Sequence, residues 1–377
     1  NISIGGKTQL KSGIGYSTTK NAYNEDLLSE ELIMNPTYRE NYVTQKLNFT
    51  STLNHRFSNR LNMRTGVIAQ FISFRFYRLA GEHEGDPLEE MINSKGATST
   101  QQAFTQWQYK VTNALTLNAG VHVLHLALNN SNSVEPRASL RWALTPRSTL
   151  AVGYGLHSQL LPMGIYFAQE GTGAGVTQPN RNLGFTKAHH YVASFSQRVS
   201  SNLLLKAEAY YQQLFKVPVS IKPGSTFSTV NIQEEYVVEP MSNSGKGRNY
   251  GLEISAERYL QNNFYLTLSN SLYQSKYTAN DKVERNTRFN GNHVTTFIAG
   301  KEFVSANSAR TFGINIKTIY AGGLRRTPID LAASMEKGYT VFKDAEAYSL
   351  QNPAYFRTDI RLSMKWNRRH TTSTLSL

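Results

Sequence analysis

Apolar and polar residues alternate along most of this chain. Between Asp359 and Trp366, Ile360, Leu362, Met364 and Trp366 fall on one face, and Asp359, Arg361, Ser363 and Lys365 on the other. Leu115, Leu117, Ala119, Val121 and Val123 oppose Thr116, Asn118, Gly120 and His122 in the same way. Leu203, Leu205, Ala207, Ala209 and Tyr211 oppose Lys206, Glu208, Tyr210 and Gln212. Successive side chains of a strand point to opposite faces, so a period of two predicts strands with one apolar and one polar side. About fifteen such strands are expected, at 7–19, 40–57, 61–77, 101–111, 115–128, 135–144, 149–158, 187–199, 203–217, 247–259, 263–277, 292–303, 309–322, 355–366 and 371–377. Many are longer than the roughly five or six residues usual in soluble sheets. About ten residues, tilted, cross a bilayer.

The connections fall into two alternating kinds. Short polar turns are expected near 58–59, 112–114, 145–148, 200–202, 261–262, 306–308 and 367–369. Longer loops are expected at 20–39, 78–100, 129–134, 160–186, 218–246, 279–291 and 323–354. Strict alternation of short and long connections is the habit of outer-membrane barrels. Trp107, Trp142, Phe195, Tyr211, Phe264, Phe303, Tyr320 and Trp366 stand near strand ends, where aromatic girdles form. The fold class expected is therefore all-β, an antiparallel transmembrane β-barrel. Weak helix signals sit at 26–34, 87–93 and 329–337. The alternation persists to Ser373–Leu377, and a sheet in lipid has to close. Residues 1–377 are thus expected to be the later two-thirds of a barrel of 22 strands, which at about 25 residues each would need roughly 550.

Composition narrows the chemistry. Among 377 residues, 40 Lys and Arg face 26 Asp and Glu, a net charge of +14, and Cys is absent. No disulfide, thiolate metal site or thiol nucleophile is available. No run of 18 apolar residues suggests a membrane helix. The basic residues are scattered, without the stripe that nucleic-acid binding requires, so no nucleic-acid partner is expected. Neither is a cofactor.

Few constellations suggest chemistry. His189 and His190 are adjacent, and His122 and His125 are three apart. On a regular strand both pairs split between faces and cannot share a metal. Glu82, Glu84 and Asp86 form an acidic loop, a weak calcium candidate that lacks the spacing of a dedicated calcium loop. Gly171-Thr172-Gly173-Ala174-Gly175 lacks the Lys-Ser/Thr of a phosphate loop. Beside it, Tyr166, Phe167, Gln178, Asn180 and Arg181 are candidate ligand contacts on a long outer loop. Arg137, Arg141, Lys206, Glu208, Glu253, Glu257, Asp359, Arg361 and Lys365 are expected on the inner face, towards water or a plug. Glu253 and Glu257 would lie about 13 Å apart along a strand, too far for a glycosidase pair. No Gly-x-Ser-x-Gly nucleophile turn exists, so no catalytic residue is proposed.

Several segments, taken in order, resemble TonB-dependent outer-membrane receptors. They are Pro136-Arg137-Ala138-Ser139-Leu140 leading to Tyr154-Gly155-Leu156-His157-Ser158-Gln159, and Asn182-Leu183-Gly184-Phe185-Thr186-Lys187-Ala188-His189-His190-Tyr191-Val192. Leu205 to Gln212, Asn249-Tyr250-Gly251-Leu252-Glu253, Arg326-Thr327-Pro328-Ile329-Asp330 and Tyr355-Phe356-Arg357-Thr358-Asp359-Ile360-Arg361 follow. The chain looks like the subgroup carrying an extra N-terminal regulatory-type β-sandwich. The resemblance implies a 22-stranded barrel in the outer membrane of a Gram-negative bacterium, filled by an N-terminal plug that TonB pulls to admit a scarce ligand. The cargo could be a siderophore, cobalamin, a glycan or a peptide. Partners implied are the plug, TonB, lipid and lipopolysaccharide, and a surface lipoprotein lid. Two other classes stay open: a passive porin of 14–16 strands, and an outer-membrane enzyme with reactive groups at the rim.

Overall fold

The computed structural model describes residues 2–29, 32–80, 88–172, 175–233 and 236–377. Seventeen strands join one sheet. Fifteen form its wall: β1 (Thr8–Leu28), β2 (Met34–Arg56), β3 (Leu61–Ala80), β4 (Glu89–Lys110), β5 (Leu115–Leu126), β6 (Ser131–Thr145), β7 (Ser148–Gln159), β8 (Thr186–Arg198), β9 (Leu203–Ser220), β10 (Met241–Gln261), β11 (Phe264–Thr278), β12 (His293–Val304), β13 (Arg310–Ala321), β14 (Tyr355–Asn367) and β15 (Thr372–Ser376). Two three-residue strands, Ile2–Ile4 and Glu284–Asn286, add to β1 and β11. Every wall strand pairs antiparallel with its neighbours in the chain, an up-and-down meander. Apart from Ile2–Ile4, the outer edges of β1 and β15 meet no further strand among the described residues.

All fifteen expected strands are present, but several run further at one end. β1 continues to Leu28 rather than 19, β2 starts at Met34 rather than 40, β4 at Glu89 rather than 101, and β10 at Met241 rather than 247. The expected loops at 20–39 and 78–100 shrink accordingly. Alternation failed as a guide here because these extensions are mostly polar, with only isolated apolar residues such as Ile92 and Met241, which are buried in the core under the loops. The ladder itself and cross-strand ion pairs hold them: Arg39 with Asp26, and Arg78 with Glu40 at 2.9 Å. The helix signals at 26–34 and 87–93 are overturned by these extensions. The third holds: Leu331–Lys337 is helical. Asp330 caps it by accepting from the Ala333 N–H at 3.1 Å, and Gly338 ends it at φ 72°.

The turns at one end of the wall are two to five residues long. Asn262 and Asn263, both at positive φ, close the two-residue hairpin between β10 and β11, the conformation that matches the twist of the strands. The opposite end carries the long segments 160–185, 221–240, 279–292 and 322–354.

The register sorts the side chains. One face carries Ile14, Leu47, Val67, Val121, Leu140, Val152, Phe195, Leu205, Ile254, Leu268, Ile314 and Ile360. Many of these are open to the surroundings, Ile14 at 78%, Ile254 at 51% and Ile360 at 65%. An apolar belt so exposed has no use in water. The main hydrophobic core lies on the other face, at the long-loop end. Tyr42, Phe74, Phe76 and Leu126 of the wall meet Ile165, Tyr166, Phe167, Phe185 and Tyr236 of the loops.

Candidate ligand chamber: the inner wall and its loop roof

The roof is built by two segments folded back over β2–β5. Residues 160–185 include a one-turn helix, Met163–Tyr166, wholly buried. Phe167 packs on Phe74 at 4.7 Å between ring centres, and Tyr236 of segment 221–240 meets Phe76 edge-on at 6.3 Å. Gly96 permits the approach: a Cβ there would stand 2.7 Å from Phe74 and 2.8 Å from Phe167. Polar ties join the two segments. The Tyr236 hydroxyl accepts from the Gln169 N–H at 2.9 Å. Asn180, fully buried, donates to the Glu239 carbonyl at 2.9 Å and accepts from the Met241 N–H at 3.0 Å. Burial pushes the Tyr166 hydroxyl up to about 12 and raises that of Tyr236.

These contacts separate the five residues suggested as ligand contacts. Tyr166, Phe167 and Asn180 have their side chains inside the roof, where they hold it together. Gln178 and Arg181 stay at its surface. Arg181 donates to Gln178 at 3.0 Å, and its guanidinium lies 5.4 Å over the Phe167 ring. The calcium candidates Glu82, Glu84 and Asp86, and Gly173 and Ala174 of the glycine-rich stretch, lie outside the described residues.

Below the roof the inner wall is polar. A cavity of about 700 Å³ opens on β3–β8, lined in part by Arg64, Gln102, His122, Arg137, His157 and His190. At its edge Glu135 is 1% exposed. One of its carboxylate oxygens accepts from Arg137 at 2.8 Å and meets His122 Nδ1 at 3.0 Å; the other has no hydrogen-bond partner. The second ring nitrogen of His122 lies 3.0 Å from Gln102. His157 and His190 face each other across β7 and β8, ring centres 4.5 Å apart. As strand geometry requires, His189 points the other way, to Tyr154 at 3.0 Å, and His125 points away from His122, to Asn132 at 2.9 Å. Among the described residues no group of three His, Asp or Glu side chains is arranged to hold a metal ion.

The nine charged residues assigned to the interior all fall on this polar face: Arg137 and Arg141 on β6, Lys206 and Glu208 on β9, Glu253 and Glu257 on β10, and Asp359, Arg361 and Lys365 on β14. The fold strings them along the wall rather than gathering them. Glu208 and Glu253 are direct cross-strand partners, and Lys206 holds Glu208 at 2.8 Å. Asp359 accepts from Arg357 at 2.8 Å. Lys11, Lys46 and Arg64 also point inward. With Arg141, they lie in no ion pair among the described residues. The inner wall of β1–β8 therefore carries cations beyond those that pair with Glu40 and Glu135, whereas on β9–β14 charges of both signs are interspersed. The Glu135 cluster was missed from sequence because His122 and Gln102 lie on other strands than Glu135 and Arg137. Only the His122↔Glu135 register shows that they meet.

A family model described as TonB dependent receptor-like, beta-barrel, matches residues 2–377. Among solved structures, the ferric-catecholate import receptor Fiu from Escherichia coli K12 superposes with a TM-score of 0.69 at 16% identity, over 97% of this chain and 56% of Fiu. The ferripyoverdine receptor of the Pseudomonas aeruginosa outer membrane gives 0.67 at 10%, over 98% and 49%. The ferric yersiniabactin uptake receptor FyuA from Yersinia pestis gives 0.66 at 11%, over 96% and 52%. This chain spans about half the length of these structures. No curated protein matches it.

Proposed function

Since this chain belongs to the TonB-dependent receptor family, as part of its β-barrel, we propose that it is the wall of an active importer in a Gram-negative outer membrane. The observation that carries the proposal is the sorting of the wall: an exposed apolar belt outside, and a polar interior roofed at the long-loop end. Such a wall encloses a wet chamber that a plug domain can fill. Further strands would join the free edges of β1 and β15, because unpaired backbone is not tolerated in lipid. TonB would displace the plug, and the inner charges would contact it. Exposed pairs such as Lys206–Glu208 stabilise by only about 0–1 kcal/mol each, weak enough to break and re-form on every cycle. No chemistry on the cargo is required.

The cargo we propose is anionic. It would pass Gln178 and Arg181 at the roof and meet the cations of β1–β8 that form no ion pair among the described residues. The full-length protein in planar bilayers is expected to stay sealed at rest. In cells, its uptake of ligand is expected to stop when TonB is deleted. A steady open conductance without TonB would instead identify a passive porin and end the proposal.

A further inference from the structure

The ladder between β6 and β7 runs up from Thr145–Ser148 and stops at Arg137–Gly155. Yet β6 continues to Ser131, laddered to β5, and β7 continues to Gln159, laddered to β8. Among the described residues this is the one seam where both strands go on without rungs between them. Pro136 stands at the break. It has no N–H to give, and a proline within a sheet has to sit where one side is left unpaired.

Above the break a side-chain bond takes the place of the rungs. Continuing the register would set Ser133 opposite Gln159. Instead the Ser133 and Ser158 hydroxyls meet at 2.6 Å. Ser133 belongs to the inward set of β6 with Arg137, and Ser158 to the outward set of β7 with Tyr154. Edge-to-edge pairing does not bring an inward group to an outward one, so the two edges have slipped past each other. Among the described residues this is the only side-chain hydrogen bond across the seam. Glu135 makes none there: its partners, Arg137 of β6 and His122 of β5, lie on its own side.

The roof crosses this seam. Segment 160–185 leaves the top of β7 and returns into β8, but it is gripped by the tip of β5–β6. Asn129 donates to the Arg181 and Leu183 carbonyls at 3.1 and 2.7 Å. Leu124 and Leu126 of β5 share a core with Leu183 and Phe185. On the far side Asn243 of β10 clamps Gly184, accepting from its N–H at 2.7 Å and donating to its carbonyl at 3.2 Å. Lifting the roof therefore pulls on β5 and β6 and pivots near β10. Along the seam that pull breaks one serine pair and no ladder.

We propose that the upper β5–β6 hairpin and the roof move as one lid, hinged where the ladder stops at Arg137–Gly155 and latched by Ser133–Ser158. The proposal concerns the wall itself, goes beyond the reading of this chain as an importer, and stands or falls whatever the cargo is. The chain contains no Cys, so the latch can be locked as a disulfide, S133C/S158C, in full-length protein in lipid vesicles, once any cysteine outside these residues is replaced. Backbone hydrogen exchange is followed by mass spectrometry. In the wild type, the amides of 165–169 in the roof and of 127–130 at the tip are expected to exchange at one shared rate. Oxidised S133C/S158C is expected to slow both about tenfold, and dithiothreitol to restore them. S12C/S51C, which cross-links the Ser12–Ser51 pair (2.9 Å) within the continuous β1–β2 ladder, should change neither. S133A/S158A, which needs no disulfide, should speed both. Unrelated rates at roof and tip would overturn the proposal. So would a lock and an alanine pair that both leave 165–169 unchanged.

Discussion

Glu135 is the residue on which the inner wall is most sensitive. It is a buried carboxylate with one oxygen held by Arg137 and His122 and the other unpartnered. Removing one partner of a buried charge costs more than removing the pair. R137A is therefore expected to destabilise the barrel by about 1–3 kcal/mol. E135Q/R137A should recover most of that, read as the temperature at which the folded band is lost on gels. Equal loss in both variants would show that Glu135 is not the group at stake. Tyr166 offers a second test. Its hydroxyl is pushed up to about 12 by burial in the roof, against about 10 for a free tyrosine. The neutral form is favoured by folding, so the stabilisation is complete below pH 10 and is lost as pH rises from 10 to 12. In Y166F this part of the alkaline loss should disappear.

At the scale of the strand, two neighbours on β10 make the cleanest comparison. Ile254 faces outward and Ser255 inward, one residue apart at the same depth. A cation on a lipid-facing position near mid-membrane costs about 2–4 kcal/mol, and far less on a wet lumen. I254R should fold poorly in lipid vesicles while S255R folds nearly as the parent does. The reverse order would turn the wall inside out. The strands also show where alternation carries information. Within the belt, lipid on one side and water on the other impose a strict period, and Phe264–Thr278 and Tyr355–Asn367 lie within a few residues of their expected bounds. Above the belt the outer face is wet and loops cover part of the inner one, so the period vanishes, and β1, β2 and β4 run on unseen.

For the whole molecule, the decisive feature is the asymmetry of the interior. Among the described residues, Lys11, Lys46, Arg64 and Arg141 form no ion pair, whereas Lys206 and Arg357 do. If the cargo is anionic, R64Q/R141Q in the full-length protein should weaken ligand affinity several-fold and flatten its dependence on salt. K206Q should change neither.

Alternation, connection length and charge placement are local properties. They determined by themselves that this is an antiparallel barrel wall, which residues sit on each face, and that fourteen turns and loops divide it. That is so because lipid and water act on each residue separately. The tertiary structure alone decided that Tyr166, Phe167 and Asn180 are buried in a roof and that Glu135 meets His122. Each of those depends on pairs of groups whose distance is set by register and loop path, which no single strand's pattern contains.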